Sequence, residues 1–157
     1  RNLRREALRA GVADERIVFA ARMALPEHLA RHRLADLFLD TLPYNAHTTA
    51  SDALWTGLPV LTCVGRAFAG RVAASLLNAI ELPELITTSK DEYERLALRL
   101  ATEEGLLSSI KDKLAANRLR TPLFNVDKFA RHLETAYERM YEIGLERHKP
   151  EDIYVQP

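Results

Sequence analysis

The sequence predicts an α/β domain built on a parallel sheet with helices on both faces. Short continuous apolar runs recur along the chain, and stretches with helical spacing separate them. Glycine or proline stands at many of the junctions, as at Gly11, Pro26, Gly57 and Pro122. The 157 residues suffice for one domain with a sizeable core. Apolar runs without polar alternation suit strands covered on both faces, and their alternation with helices is the pattern of a parallel sheet.

The elements follow in order. Asn2 to Ala10 has helical composition, with Leu3, Ala7 and Leu8 on one face and Gly11 as a stop. Ile17 to Ala20 reads as a short buried strand. Pro26 to Arg33 predicts a helix, with proline in its first turn and Glu27 near its positive end. Leu37-Phe38-Leu39 is a second strand, closed by Asp40. Thr49 to Thr56 is helical and stopped by Gly57, and Val60 to Val64 is a third strand. A helix around Ala69 to Leu77 precedes a short apolar piece, Leu85-Ile86-Thr87. Helices then fill Asp91 to Thr102 and Leu106 to Arg118. The last begins near Val126, where Phe129, Leu133, Ala136, Tyr137, Met140 and Tyr141 keep helical spacing. Residues 1–148 form the expected domain, and 149–157 an extended polar tail.

Composition removes several classes of function. Lys+Arg and Asp+Glu are equal at 22 each, so no global field recruits nucleic acid or an anionic membrane. The longest uncharged stretch, Ala53 to Gly65, is too short to span a bilayer. The charged N-terminus is unlike a signal peptide. Cys63 is the one cysteine, which rules out an internal disulfide and a cysteine metal cluster. A cytoplasmic setting is the expectation.

In open α/β sheets, ligands gather at the carboxyl ends of strands, where loops lead into helix N-termini. The loop from Thr41 to His47 runs into a helix through Thr48 and Thr49, whose hydroxyls join free backbone N–H groups to make an anion site. His47 is placed to donate to a phosphate or to shield charge on a leaving diphosphate. A capping box over Thr49 to Asp52 explains the same residues structurally, and local physics favours it because caps are far commoner than phosphate sites. Gly65 to Val72 has the glycine spacing of a phosphate loop, but Arg71 and Val72 replace the required Lys and Ser/Thr. That excludes a P-loop and leaves a turn bearing basic groups. His28 and Arg31 share one helix face, as a nucleobase wall or as a solvated surface. His32, His132 and His148 show no metal-ligand spacing, Trp55 reads as packing, and Tyr44 as packing or the lining of a sugar pocket.

The run from Leu34 to Thr41, followed by Asn45-Ala46-His47-Thr48-Thr49 and Asp52-Ala53-Leu54-Trp55, resembles the C-terminal catalytic lobe of the O-GlcNAc transferase/SPINDLY family. The likeness continues through Gly57 to Thr62 and Arg71 to Ser75, and returns at Pro122-Leu123-Phe124-Asn125. It implies part of the C-terminal, Rossmann-like lobe of a GT-B glycosyltransferase, without its first strands. Thr48 and Thr49 would bind the donor diphosphate, His47 would lie beside it as the one catalytic candidate, and Asp52 would approach the ribose. His28 would stack on uridine and Arg31 would reach the base. The implied reaction is metal-independent, inverting transfer of GlcNAc or a related sugar from a UDP-sugar to Ser or Thr of protein acceptors. No cofactor is implied.

Two departures qualify the likeness. Leu25 stands where the animal enzymes carry a lysine near the ribose, so ribose contacts or donor choice can differ. The N-terminal lobe and TPR region, with most of the acceptor site, are not within these residues, and the fragment alone is not expected to be active. GDP-fucose or UDP-glucose transfer, and a non-catalytic interaction module of the same fold, are the alternatives. A full lobe has strand order 3-2-1-4-5-6. Strand 17–20 would then lack its neighbours, and the fragment is expected to re-pair, swap or form a homodimer.

Overall fold

The computed structural model describes residues 2–146, 149 and 151–155. Its framework is three parallel strands in the order β1 (Phe38–Leu39), β2 (Val60–Cys63) and β3 (Ile86–Thr87). Phe38 is opposite Val60 and Leu39 opposite Leu61, while Thr62 is opposite Ile86 and Cys63 opposite Thr87. All four residues of β2 are buried. Successive side chains on a strand point to opposite faces, so both faces of the central strand are covered.

Seven α-helices surround the sheet among the described residues, besides five short 3-10 turns: α1 (Asn2–Arg9), α2 (Leu25–Arg31), α3 (Thr48–Thr56), α4 (Val72–Ala79), α5 (Lys90–Thr102), α6 (Leu106–Asn117) and α7 (Val126–Leu145). The core joins Val60 and Leu61 to Ala50, Ala53 and Leu54 of α3, Leu77 of α4, Leu100 of α5, and Ile110 and Leu114 of α6. Gly57 ends α3 at φ 88°, a left-handed turn that lets the Leu58 N–H return to the Ala53 carbonyl at 2.8 Å. The chain thereby re-enters the sheet as β2 two residues later. Among the described residues, no helix is long and apolar enough to cross a membrane.

The expected strand at Ile17 to Ala20 does not form. A 3-10 turn at Asp14–Arg16 leads into an irregular segment in which Val18 is 86% exposed and Phe19 52% exposed. A strand needs a partner for its N–H and C=O groups, and this segment is paired with none. The capping box is a second correction. The helix begins one residue early, at Thr48, with His47 as its N-cap and no side-chain cap hydrogen bond, so neither Thr49 nor Asp52 caps it.

At the other end, Asn125 caps α7 by accepting from the Lys128 N–H at 2.9 Å. Along α7 only Ile143 is buried, and Phe129, Tyr137, Met140 and Tyr141 are exposed. Residues 151–155 have no regular structure. Glu151, Asp152 and Ile153 share a groove of about 480 Å³ with Ala136, Met140 and Ile143, and Glu151 lies 3.7 Å from the Arg139 guanidinium. His148, and with it the expected boundary between domain and tail, lies outside the described residues.

Candidate functional site

The site is built where β1 ends. Its backbone turns outward after Asp40 and returns as α3, with the loop of residues 41–47 between them. That loop contains the cis Leu42–Pro43 bond. Asp40 is buried, and its Oδ1 accepts from the N–H of Thr41 at 2.8 Å and of Ala46 at 2.6 Å. Asn45 is buried too; its N–H donates to the Ala69 carbonyl at 2.9 Å, and its Nδ2 donates to the Thr41 carbonyl at 3.0 Å. Both ends of the loop are therefore tied down by polar contacts.

The loop delivers His47 to the start of α3. The His47 carbonyl accepts from Ala50 N–H and Ser51 N–H, each at 3.1 Å. The N–H groups of Thr48 and Thr49 have no hydrogen-bond partner among the described residues, and both side chains are exposed. Two unpaired donors, two hydroxyls and the positive end of a helix dipole meet here, an arrangement suited to an anion.

His47 lies among aromatic rings. It stacks on Tyr44 with centroids 4.9 Å apart and an interplanar angle of 17°, and Phe68 meets it edge-on at 6.1 Å. Its Nε2 is 3.4 Å from the Ala69 carbonyl, which can only accept, so the proton of that contact is on Nε2. Nδ1 has no partner among the described residues. Tyr44 and Phe68 are 63% and 73% exposed, so the histidine has apolar walls that are open to solvent.

The turn of residues 65–70 does border this loop. Gly65 N–H donates to the Gly70 carbonyl at 2.6 Å, and Ala69 supplies the carbonyl shared by Asn45 and His47. A Cβ at Gly70 would sit 3.1 Å from both Gly65 Cα and the Pro43 carbonyl oxygen, so the two loops meet so closely that any larger residue would push backbone aside. Arg66 and Arg71 are exposed.

The second group of candidates is carried by α2, which packs against α3. His28 and His32 meet edge-on at 4.9 Å. His32 Nδ1 is 3.1 Å from Thr56 Oγ1, whose own proton goes to the Asp52 and Ala53 carbonyls, so the histidine is the donor. Burial, then the neighbouring His28, holds His32 below the ordinary histidine value; Asp52 pulls the other way and Arg31 adds to the depression. Asp52 is thus electrostatically coupled to the α2 cluster, one turn along the helix from Thr48. Arg31 is committed elsewhere in this structure: its Nη1 donates to the Ala21 carbonyl at 2.9 Å. No group of three or more His, Cys, Asp or Glu side chains among the described residues is arranged to hold a metal ion.

Asp40, Ala69 and Gly70 are contributors that the sequence reading missed. Asp40 was legible only as the end of a strand, and the Gly70 contact joins residues far apart in the chain.

Comparison with known proteins identifies the family. The profile described as glycosyl transferase family 41 matches residues 1–133. A UDP-N-acetylglucosamine–peptide N-acetylglucosaminyltransferase of Caenorhabditis elegans is 37% identical over 147 residues, which is 92% of this chain and 13% of that protein. The probable enzyme SEC of Arabidopsis thaliana is 36% identical over 146 residues, 92% of this chain and 15% of its own length. A probable SPINDLY enzyme of Hordeum vulgare is 35% identical over 115 residues, 73% of this chain and 12% of its own. Among solved structures, a mutant O-GlcNAc transferase of Thermobaculum terrenum superposes with a TM-score of 0.82 at 36% identity, covering 89% of this chain and 27% of that one. The chain therefore spans a small fraction of the length of the proteins it matches.

Proposed function

This chain belongs to glycosyl transferase family 41, and on that premise we propose that it is the donor-binding part of a larger protein glycosyltransferase. The observation that carries the proposal is the start of α3, where two unpaired N–H groups and two exposed hydroxyls follow His47 directly. The donor is UDP-N-acetylglucosamine or a related nucleotide sugar, as the names of the relatives suggest. Its diphosphate lies on Thr48 and Thr49. His28 and Arg31 serve the base, and Asp52 serves the ribose.

The chemistry follows from charge. In transfer to a Ser or Thr hydroxyl with inversion, negative charge grows on the departing diphosphate. Preorganised N–H donors stabilise that charge without reorganising, and each such donor contributes about 2.7–4 kcal/mol in comparable sites. His47 assists from its free Nδ1. With the proton of the Ala69 contact on Nε2, donation from Nδ1 needs the imidazolium form. No metal is assigned to the step. The acceptor and the general base are assigned to parts of the parent protein outside this chain.

Calorimetric titration of UDP and of GDP into the protein that carries this chain tests the reading. UDP is expected to bind more tightly than GDP. Preference for GDP would move the assignment to a guanosine-linked sugar. Binding of neither would replace it with a non-catalytic interaction module.

A further inference from the structure

We infer that Asp40 is a positioning residue for the donor loop, acting through a hydrogen-bonded relay that takes one buried polar residue from each strand position of the sheet. The inference rests on the donor-binding reading, because the loop it holds is the one that leads into His47, Thr48 and Thr49.

Asp40, Thr62 and Thr87 are all buried, and they follow or belong to β1, β2 and β3 in turn. The Thr62 hydroxyl donates to Asp40 Oδ2 at 2.6 Å, and the Thr87 hydroxyl donates to the Thr62 carbonyl at 2.9 Å. Every polar group of Asp40 is engaged. Its N–H donates to the Leu61 carbonyl at 3.0 Å, and its own carbonyl accepts from the Tyr93 hydroxyl at 2.9 Å. Burial, then Asp40, then Cys63 push the Tyr93 hydroxyl up to about 12, so it remains a proton donor throughout the neutral range.

Burying a carboxylate is costly, and an apolar side chain would fill the same place at lower cost. What an apolar side chain cannot do is accept from two backbone amides five residues apart. Oδ1 does that with Thr41 and Ala46, closing the loop into a ring whose last member precedes His47. Oδ2, held by Thr62, fixes the rotation of the carboxylate and so the aim of Oδ1. The loop is thereby referenced to the sheet rather than to its own flexible backbone. A site for a transferring group needs its donors held within about 0.5 Å, and that is what such a reference supplies.

The test is UDP affinity by calorimetry on the protein that carries this chain, each variant measured well below its own melting temperature. Thr62→Val is expected to weaken binding by about tenfold, the scale of one charge-assisted hydrogen bond. Asp40→Ala is expected to weaken it by about a hundredfold or more, since two loop amides are released with it. Thr62→Ser, which keeps the hydroxyl, restores affinity close to that of the wild type. A second readout is amide exchange at Ala46, slow in the wild type and in Thr62→Ser and fast in Thr62→Val. A purely structural relay lowers the melting temperature of Thr62→Val and leaves its UDP affinity unchanged. That outcome, with Ala46 exchange also unchanged, overturns the assignment alone. A wild type that binds no nucleotide overturns the donor-binding reading and this assignment with it.

Discussion

The segment of residues 17–20 and the strand β2 have similar side chains, Ile-Val-Phe-Ala against Val-Leu-Thr-Cys, but opposite surroundings. Strand β2 lies between two parallel neighbours, and Val60, Leu61 and Thr62 are wholly out of water. Residues 17–20 lie beside no strand, and Val18 and Phe19 face solvent. The contrast extends to the site. The side proposed for the diphosphate is anchored to the sheet through Asp40 and α3. The side proposed for the nucleobase, α2, has no buried residue and is joined to α3 through the His32–Thr56 contact. A strand is a property of a pair, and a binding residue is only as well placed as the element beneath it.

Core truncation gives the largest test of that contrast. Leu54→Ala, at a wholly buried position, is expected to cost about 2–5 kcal/mol in urea unfolding. Val18→Ala is expected to change stability by no more than about 0.5 kcal/mol. Equal costs would mean that residues 17–20 are buried in solution against another surface. Next in size is Gly70→Ala, where the added carbon meets backbone on two sides and is expected to cost about 1–3 kcal/mol. Gly144→Ala meets nothing within 4 Å in a helix and is expected to stabilise by about 0.5–1 kcal/mol.

Smaller effects come from titration. Tyr93 has a folded value raised from 10.0 to about 12, so the fold favours its neutral form. Its contribution is complete below pH 10 and is lost as pH climbs toward 12. Tyr93→Phe should cost about 1 kcal/mol at neutral pH and flatten the alkaline limb of the stability curve. His32 behaves in the opposite sense. Its folded value lies below 6.5, so its contribution is complete above 6.5 and is lost as pH falls below it. Protection of the α2 amides should weaken on acidification, and His32→Gln should remove that dependence. If α2 exchanges equally fast at neutral and acid pH, the burial and the neighbouring His28 that lower His32 do not govern the stability of α2.

The features that were legible in the sequence are local ones. Leu37 to Leu39 and Val60 to Val64 could be read as strands from continuous apolar runs, and the structure pairs them within a residue or so of those bounds; Leu85 to Thr87 read only as a short apolar piece, and its last two residues form β3. Thr48 and Thr49 could be read as a helix start because a loop led into them from a strand. The strand at 17–20 failed because its hydrogen bonds depend on neighbours that no local pattern encodes. The cap failed for a finer reason: the His47 carbonyl begins the helix by accepting from two N–H groups, which leaves the threonine hydroxyls unused for capping. Asp40 and Thr62 are 22 residues apart, and nothing in either segment announces the other.

The most direct measurement of the central claim is a UDP-bound structure of the protein that carries this chain. The account predicts diphosphate oxygens within about 2.7–3.2 Å of the Thr48 and Thr49 N–H groups, with His47 beside them. A diphosphate bound elsewhere, with those two N–H groups still unpaired, would contradict it.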